Sequence, residues 1–325
     1  MPSLTMIEAI NQALNQEMEK DHRVIVLGED VGINGGVFRA TEGLYNRFGP
    51  NRVFDTPLAE SGIIGSAIGL AVNGMKPVAE IQFLGFIYET MDQICAQAAR
   101  IRFRSAGRYT APIVIRSPYG GGVKTPELHS DSLEALFAHT PGLKVVVPSN
   151  PYDAKGLLIS AIRDDNPVLF LEPMKLYRAF KSEVPEEPYS IQIGTAKILK
   201  EGKHVTIVSW GALIPVVCKI TEQLEEQGIE IEVIDLRTIQ PLDIDTIVSS
   251  VEKTNRLIIV HEAIKTGGVG AEIAALVNER AFFSLAAPIM RITGYDSPYP
   301  VPSMEDDWLP NEDRIIEEIQ NIITY

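Results

Sequence analysis

Cysteine is nearly absent: Cys95 and Cys218 are the only two in 325 residues. Both fall in apolar helical patterns far apart in the chain, so two buried, reduced thiols are expected rather than a bridge, and no Cys-x-x-Cys spacing suggests a metal site. No apolar run approaches the ~18 residues that a membrane span requires. The first ten residues lack a basic segment followed by an apolar core, so no targeting signal is expected and the bacterial cytoplasm is the expected compartment. Positive charge is also short. With 29 Lys and Arg against 43 Asp and Glu, the net charge is −14, which disfavours nucleic acid and anionic membrane and leaves a basic protein surface as the natural complement. A phosphate loop is missing, since Gly202-Lys203 is followed by His204. No Gly-x-Ser-x-Gly elbow occurs, and the five histidines have no metal-ligand spacing.

What is present is a long α/β pattern. The chain length exceeds a usual single core, so two domains are expected. Thr5 and Glu8 form a capping box ahead of Ile7, Ile10, Leu14 and Met18 at helical spacing. Strand-like runs at Val24 to Leu27, Arg52 to Asp55, Pro77 to Phe83, Pro112 to Arg116, Lys144 to Val147 and Val168 to Leu171 alternate with helical stretches. That alternation predicts a mainly parallel sheet with helices on both faces. Among the helices, one over 61–73 carries Gly62, Gly65 and Gly69 on a stripe suited to close packing, and another runs from Ile87 through Ile101 to Arg104. From Glu172 to Gln192 the pattern stops among prolines and charges, as an interdomain connection would. Strands at Val205 to Ser209, Ile231 to Leu236 and Leu257 to Val260 then begin a second, smaller α/β domain, closed by a helix around Arg314 to Ile323. The resulting division is 1–185 and 193–325.

Two glycine clusters stand out. Gly267, Gly268 and Gly270 open a helix, but the third glycine of a dinucleotide fingerprint is missing, so a tight turn is the expectation. Gly120, Gly121 and Gly122 form a loop after a strand, where the edge of a binding crevice is common, and fix no chemistry themselves.

The segments Gly28-Glu29-Asp30-Val31-Gly32, Gly35-Gly36-Val37-Phe38 and Phe54-Asp55-Thr56-Pro57-Leu58-Ala59-Glu60-Ser61-Gly62 carry a resemblance. It continues through Ala79-Glu80-Ile81-Gln82-Phe83, Arg116-Ser117-Pro118, Glu127-Leu128-His129-Ser130, Pro141-Gly142-Leu143-Lys144-Val145 and Ile234-Asp235-Leu236-Arg237-Thr238. Across essentially its whole length the chain resembles beta subunits of the thiamine diphosphate-dependent 2-oxo acid dehydrogenases, those of pyruvate dehydrogenase type above all. The resemblance implies a transketolase-like pyrimidine-binding domain followed by a transketolase C-terminal domain. It implies oxidative decarboxylation of pyruvate and reductive acetylation of a lipoyl group. Branched-chain 2-oxo acid and acetoin dehydrogenase beta subunits look similar, and a non-catalytic assembly module is the rival from another class.

By the same resemblance, Glu60 matches the catalytic glutamate that shares a proton with the aminopyrimidine. From the residues alone, a loop carboxylate among apolar neighbours is either an ordinary surface glutamate or a general acid or base. Phe86 matches the ring that stacks on the aminopyrimidine, Gln82 and Leu58 match positions lining it, and His129 matches a histidine that faces the reacting carbon. Glu29, Glu89 and Asp92 stand at family-like positions that could link two active sites, with Glu89 and Asp92 three apart on one helix face. Ile113, Ala161, Ile162, Asp164 and Asn166 match a potassium site. Magnesium and the diphosphate are normally held by Gly-Asp-Gly and an Asn pair, and neither occurs here. An alpha subunit is therefore expected to supply that half, within an alpha-2 beta-2 heterotetramer. The acyltransferase, through its peripheral subunit-binding domain and lipoyl domain, is the further expected partner.

Overall fold

The computed structural model describes all 325 residues. A seven-stranded sheet dominates the first half, in the order Thr238–Gln240, Lys144–Val146, Val168–Pro173, Val114–Tyr119, Lys76–Glu80, Val24–Gly28, Val53–Asp55. All neighbours are parallel except the first pair. Central strands such as Val24–Gly28 and Val168–Pro173 are buried along their whole length, which is why they read as continuous apolar runs rather than as alternation. A five-stranded sheet follows, ordered Met290–Gly294, Leu257–Ile264, Val205–Ser209, Ile231–Asp235, Lys197–Lys200, with only the last strand antiparallel.

The expected α/β class with mainly parallel sheets is thus observed. The capping box also forms: the Glu8 carboxylate accepts from the Thr5 N–H at 2.7 Å and the Thr5 hydroxyl accepts from the Glu8 N–H at 3.4 Å. That helix, Met6–Lys20, packs on helix Pro151–Arg163, where Arg163 donates to Glu17 at 2.6 Å.

Several expectations are corrected. The glycine stripe of helix Glu60–Val72 faces outward, and Gly65 and Gly69 have nothing close enough to crowd a Cβ, so no backbone of this chain packs there. The stretch from Leu84 to Arg104 is not one regular helix: a 3-10 segment, Leu84–Thr90, passes into a π-helical turn, Asp92–Gln97, which slips the phase at Met91. Glu89 and Asp92 therefore do not sit on one ideal helical face. Cys95 and Cys218 are free but only half-buried. The connecting segment between the halves is anchored to the first of them. Ser182–Glu183 pairs with Ser3–Leu4, and the Lys155 ammonium donates to the carbonyls of Pro185, Glu186 and Glu187.

The two sheets do not meet as independent bodies. Strand Thr238–Gln240, from the second half of the chain, closes the edge of the first sheet beside Lys144–Val146. One buried cluster of 37 apolar residues runs from Leu27 and Ile64 through Val145 and Leu169 to Trp210, Ile234 and Val251, so a single core spans both halves. Polar links cross the same boundary: the Ser149 hydroxyl donates to Asp235, and Arg237 pairs with Asp153 at 3.2 Å. Burial pushes the Asp235 carboxyl up to about 7.

Inside the first sheet, three adjacent strands are cross-tied at one charge. Arg116, fully buried, donates to both oxygens of Glu172 at 2.6 and 2.8 Å and to Glu80 at 2.7 Å, and the Tyr177 hydroxyl donates to Glu172 at 2.6 Å. Burial raises the Glu80 carboxyl while Arg116 works against that shift. Removing the cation leaves two carboxylates desolvated and unpaired, so Arg116→Ala is expected to lose ~3–5 kcal/mol in denaturant unfolding. Lys219→Ala, which breaks the exposed pair with Glu312, is expected to leave the midpoint nearly unchanged.

Candidate functional site

Parallel strands of a doubly wound sheet present their carboxyl ends to one edge, and ligands bind in the crevice there. At that edge strand Val24–Gly28 runs into Glu29 and Asp30, strand Val53–Asp55 into the turn before Glu60, and strand Lys76–Glu80 into Gln82 and Phe83. Gly28 has φ +154°, and a Cβ there would come within 2.7 Å of the Glu80 carbonyl oxygen, so only glycine lets these strand ends lie so close.

Glu60 lies in the first turn of helix Glu60–Val72, one step later than the loop position expected for it. It is 8% exposed, and its carboxylate meets the positive end of the helix. Glu29 is close enough to feel it: burial, then Asp30, then Glu60 raise the Glu29 carboxyl above its ordinary range. Gln82 reaches Asp30 at 3.5 Å. Leu58, by contrast, is 69% exposed on the outer lip of the crevice.

Aromatic rings form the other wall. Phe86 meets Phe83 edge-on at 5.8 Å and His129 at 5.1 Å, and the His129 ring lies 4.4 Å from Phe83. Behind them Phe38 bridges Phe83 at 5.7 Å and Tyr177 at 5.2 Å, which ties the wall to the buried Arg116 centre. His129 Nδ1 is buried and has no hydrogen-bond partner. Its segment approaches Gly85 so closely that a Cβ there would lie 1.8 Å from the Leu128 carbonyl oxygen.

The fold thus brings Glu60, Gln82, Phe86 and His129 to one edge of the sheet. Glu89 and Asp92 are exposed on the segments that follow. Ile113, Ala161, Ile162, Asp164 and Asn166 gather at the amino ends of the strands, the opposite edge. There the Lys144 ammonium already pairs with Asp164, whose other oxygen accepts from Asn166 at 2.9 and 3.0 Å. The Ile113 and Ala161 carbonyls each accept one N–H, from Val168 at 2.9 Å and Asp164 at 3.2 Å. No group of three or more His, Cys, Asp or Glu side chains is arranged to hold a metal ion.

Residues not anticipated from sequence complete the crevice. Phe38, Phe83 and Asp30 all lie within the quoted motifs, so a search for aromatics and acids flanking those motifs would have found them. The others come from between the halves. Glu262 accepts from the Gly121 N–H at 3.1 Å and from Ser132 at 3.4 Å, and burial pushes its carboxyl up to about 7. Glu134 accepts from the Trp210 indole at 3.2 Å and is raised by burial. Asp131 is raised to about 6 by burial and lines an interdomain cleft of about 520 Å³ with Tyr88, Tyr299 and Trp308.

Residues 2–179 match the transketolase pyrimidine-binding domain and residues 194–315 the transketolase C-terminal domain. Over all 325 residues of both chains, the sequence is 56% identical to the pyruvate dehydrogenase E1 component subunit beta of Bacillus subtilis. Identity is 57%, again over the full length of both, to the subunits of the same name from Staphylococcus epidermidis and Staphylococcus aureus. The chain belongs to the pyruvate dehydrogenase E1 beta-subunit family.

Among solved structures, a split-gene transketolase described as an inactive beta4 tetramer superposes with a TM-score of 0.80 at 22% identity, covering 99% of each chain. A transketolase mutant from Pichia stipitis gives 0.69 at 13%, covering this chain fully and 46% of its own. These likenesses show the shared fold. They place the E1 beta-type chain in the transketolase architecture.

Glu262 gives the interdomain contact a pH signature. Its folded pKa lies above the ordinary carboxylate value, so its stabilising contribution is complete below about pH 4.5 and is lost as pH rises through 7. Urea unfolding at pH 5 and pH 8 is expected to show a loss of up to about 3 kcal/mol from this group, absent in Glu262→Gln.

Proposed function

We propose that this chain is the pyrimidine-binding half of a thiamine diphosphate-dependent enzyme that oxidatively decarboxylates pyruvate and passes the acetyl group to a lipoyl acceptor. The observation that carries this reading is the joint placement of a nearly buried Glu60, an aromatic wall at Phe86 and a buried, unpartnered His129 nitrogen at the carboxyl edge of the sheet. Full-length similarity to named pyruvate dehydrogenase subunits supports it.

The donor set fits the pyrimidine end of the cofactor. Thiamine diphosphate, when bound, supplies an acidic thiazolium carbon that becomes a nucleophile and an electron sink for loss of carbon dioxide. Glu60, held away from water at a helix N-terminus, would share a proton with the aminopyrimidine ring nitrogen. Phe86 would pack on the ring, contributing about 1 kcal/mol beyond the area it buries, while Gln82 and Leu58 flank it. His129 would donate to oxygen as negative charge develops there and assist acyl transfer.

Nothing comparable is available for the diphosphate. Magnesium and phosphates fall to an alpha subunit, which would cover the open lip at Leu58 and the exposed glycine stripe of helix Glu60–Val72 in an alpha-2 beta-2 heterotetramer. Residues 1–185 form the pyrimidine domain in this reading. Residues 193–325 form the C-terminal domain that docks the basic peripheral subunit-binding domain of the acyltransferase, its acidic balance speeding association. Potassium would coordinate the carbonyls of Ile113, Ala161 and Ile162 with Asp164 and Asn166. Because Lys144 already neutralises Asp164, that ion would organise carbonyls rather than add needed charge. Glu29, whose carboxyl is raised in part by Glu60, would begin an acidic path linking two active sites, with Glu89 and Asp92 further along. No helix is long and apolar enough to cross a membrane, and the bacterial cytoplasm is the proposed compartment.

In the enzyme assembled with its alpha subunit, Glu60→Gln is expected to lower kcat with pyruvate by roughly 10²–10⁴-fold while leaving the thermal midpoint in place. Assays with pyruvate, branched 2-oxo acids and acetoin read the substrate. Undiminished turnover in Glu60→Gln would overturn the catalytic assignment, and preference for a branched acid or acetoin would reassign the substrate.

A further inference from the structure

We propose that Glu305, with Glu262, is a positioning residue for His129: two buried carboxylates of the second domain grip the glycine loop that carries this histidine into the crevice. The inference rests on the reading of His129 given above.

From Gly120 to Pro126 the chain has no helix or strand, and Gly120, Gly122 and Lys124 all adopt positive φ, at +80°, +86° and +57°. For a non-glycine residue such as Lys124 that conformation is strained and persists only where surrounding contacts enforce it. Those contacts come from far along the chain. The Lys124 N–H donates to both Glu305 oxygens at 3.2 Å, and the Gly121 N–H donates to Glu262 at 3.1 Å. Glu305 is fully buried and is itself fixed by the Tyr299 hydroxyl at 2.7 Å. Tyr299 packs on Trp308 at 4.9 Å. A Cβ at Gly121 would strike the Tyr299 hydroxyl oxygen at 1.9 Å, so the loop is threaded against this anchor with no slack.

Past the grip, the segment closes on itself: the Thr125 and Ser130 hydroxyls lie 2.5 Å apart, and the His129 N–H donates to the Pro126 carbonyl at 3.0 Å. On the far side Leu128 rests against Gly85. His129 is therefore clamped between the second domain and the Phe83–Phe86 wall. The hydrogen bonds of both carboxylates go to the loop, Ser132 and Tyr299 and none to the rings of the wall, so each acts through the loop.

The test uses the enzyme assembled with its alpha subunit and compares Glu305→Ala, Glu305→Gln and His129→Ala. Hydrogen exchange of the Gly121–Ser130 amides is expected to accelerate at least about tenfold in Glu305→Ala, and kcat to fall about 10- to 100-fold, with KM and thiamine diphosphate affinity within about twofold. Glu305→Gln keeps an acceptor and is expected to restore most of both. In the Glu305→Ala, His129→Ala double variant kcat is expected to fall no further than in His129→Ala alone. If Glu305→Ala fails to assemble, Tyr299→Phe loosens the same carboxylate and is expected to shift exchange and kcat in the same direction. Unchanged loop exchange, unchanged kcat beside an impaired His129→Ala, or cofactor affinity falling in step with kcat would each overturn the positioning role. An unimpaired His129→Ala would instead overturn the reading of His129 on which it rests.

Discussion

A full positive charge sits at the centre of the larger sheet, and the geometry of the crevice depends on it. Arg116 ties strand Lys76–Glu80 to strand Val168–Pro173 through Glu80 and Glu172, just where three parallel strands reach the ligand-binding edge. Guanidinium, two carboxylates and the Tyr177 hydroxyl satisfy one another, so the low dielectric that would penalise each alone strengthens the set. Tyr177 passes that rigidity to Phe38, Phe38 to Phe83, and Phe83 to Phe86 and His129. The aromatic wall is therefore built on a charged keystone rather than on apolar packing alone.

Much of this was legible in the sequence where local chemistry decides structure. Buried parallel strands announce themselves as apolar runs, and the Thr5 to Glu8 capping box marks a helix start that the fold keeps. Reading fails where the partner is distant. Strand Thr238–Gln240 is three residues long and completes a sheet begun far earlier, so neither length nor periodicity reveals it. Met91 lies in an unbroken apolar pattern, yet the backbone changes from 3-10 to π-helical form around it, which the spacing of apolar residues does not reveal. The stripe of Gly62, Gly65 and Gly69 carries the correct signal for close approach, but nothing in this chain approaches it.

The same division holds at the site. Glu60, Gln82, Phe86 and His129 could be named because the motifs that hold them match a family pattern, and the fold gathers them at one edge of the sheet. Glu262 and Glu305 could not, since each meets the glycine loop from more than a hundred residues away: 141 from Gly121 and 181 from Lys124. Sequence spacing carries no trace of such a contact. Three consecutive glycines mark that loop as the edge of a crevice without revealing what lies against it.

In the proposed reading this chain supplies the wall for the pyrimidine and an alpha subunit supplies the anchor for magnesium and the diphosphate. Calorimetric titration of thiamine diphosphate with magnesium, first into this chain alone and then into the chain assembled with an alpha subunit, tests that division most directly. Saturable binding is expected only for the assembled pair, with one cofactor for each beta chain. Tight binding by the isolated chain would contradict the half-site and require a complete cofactor site within these 325 residues.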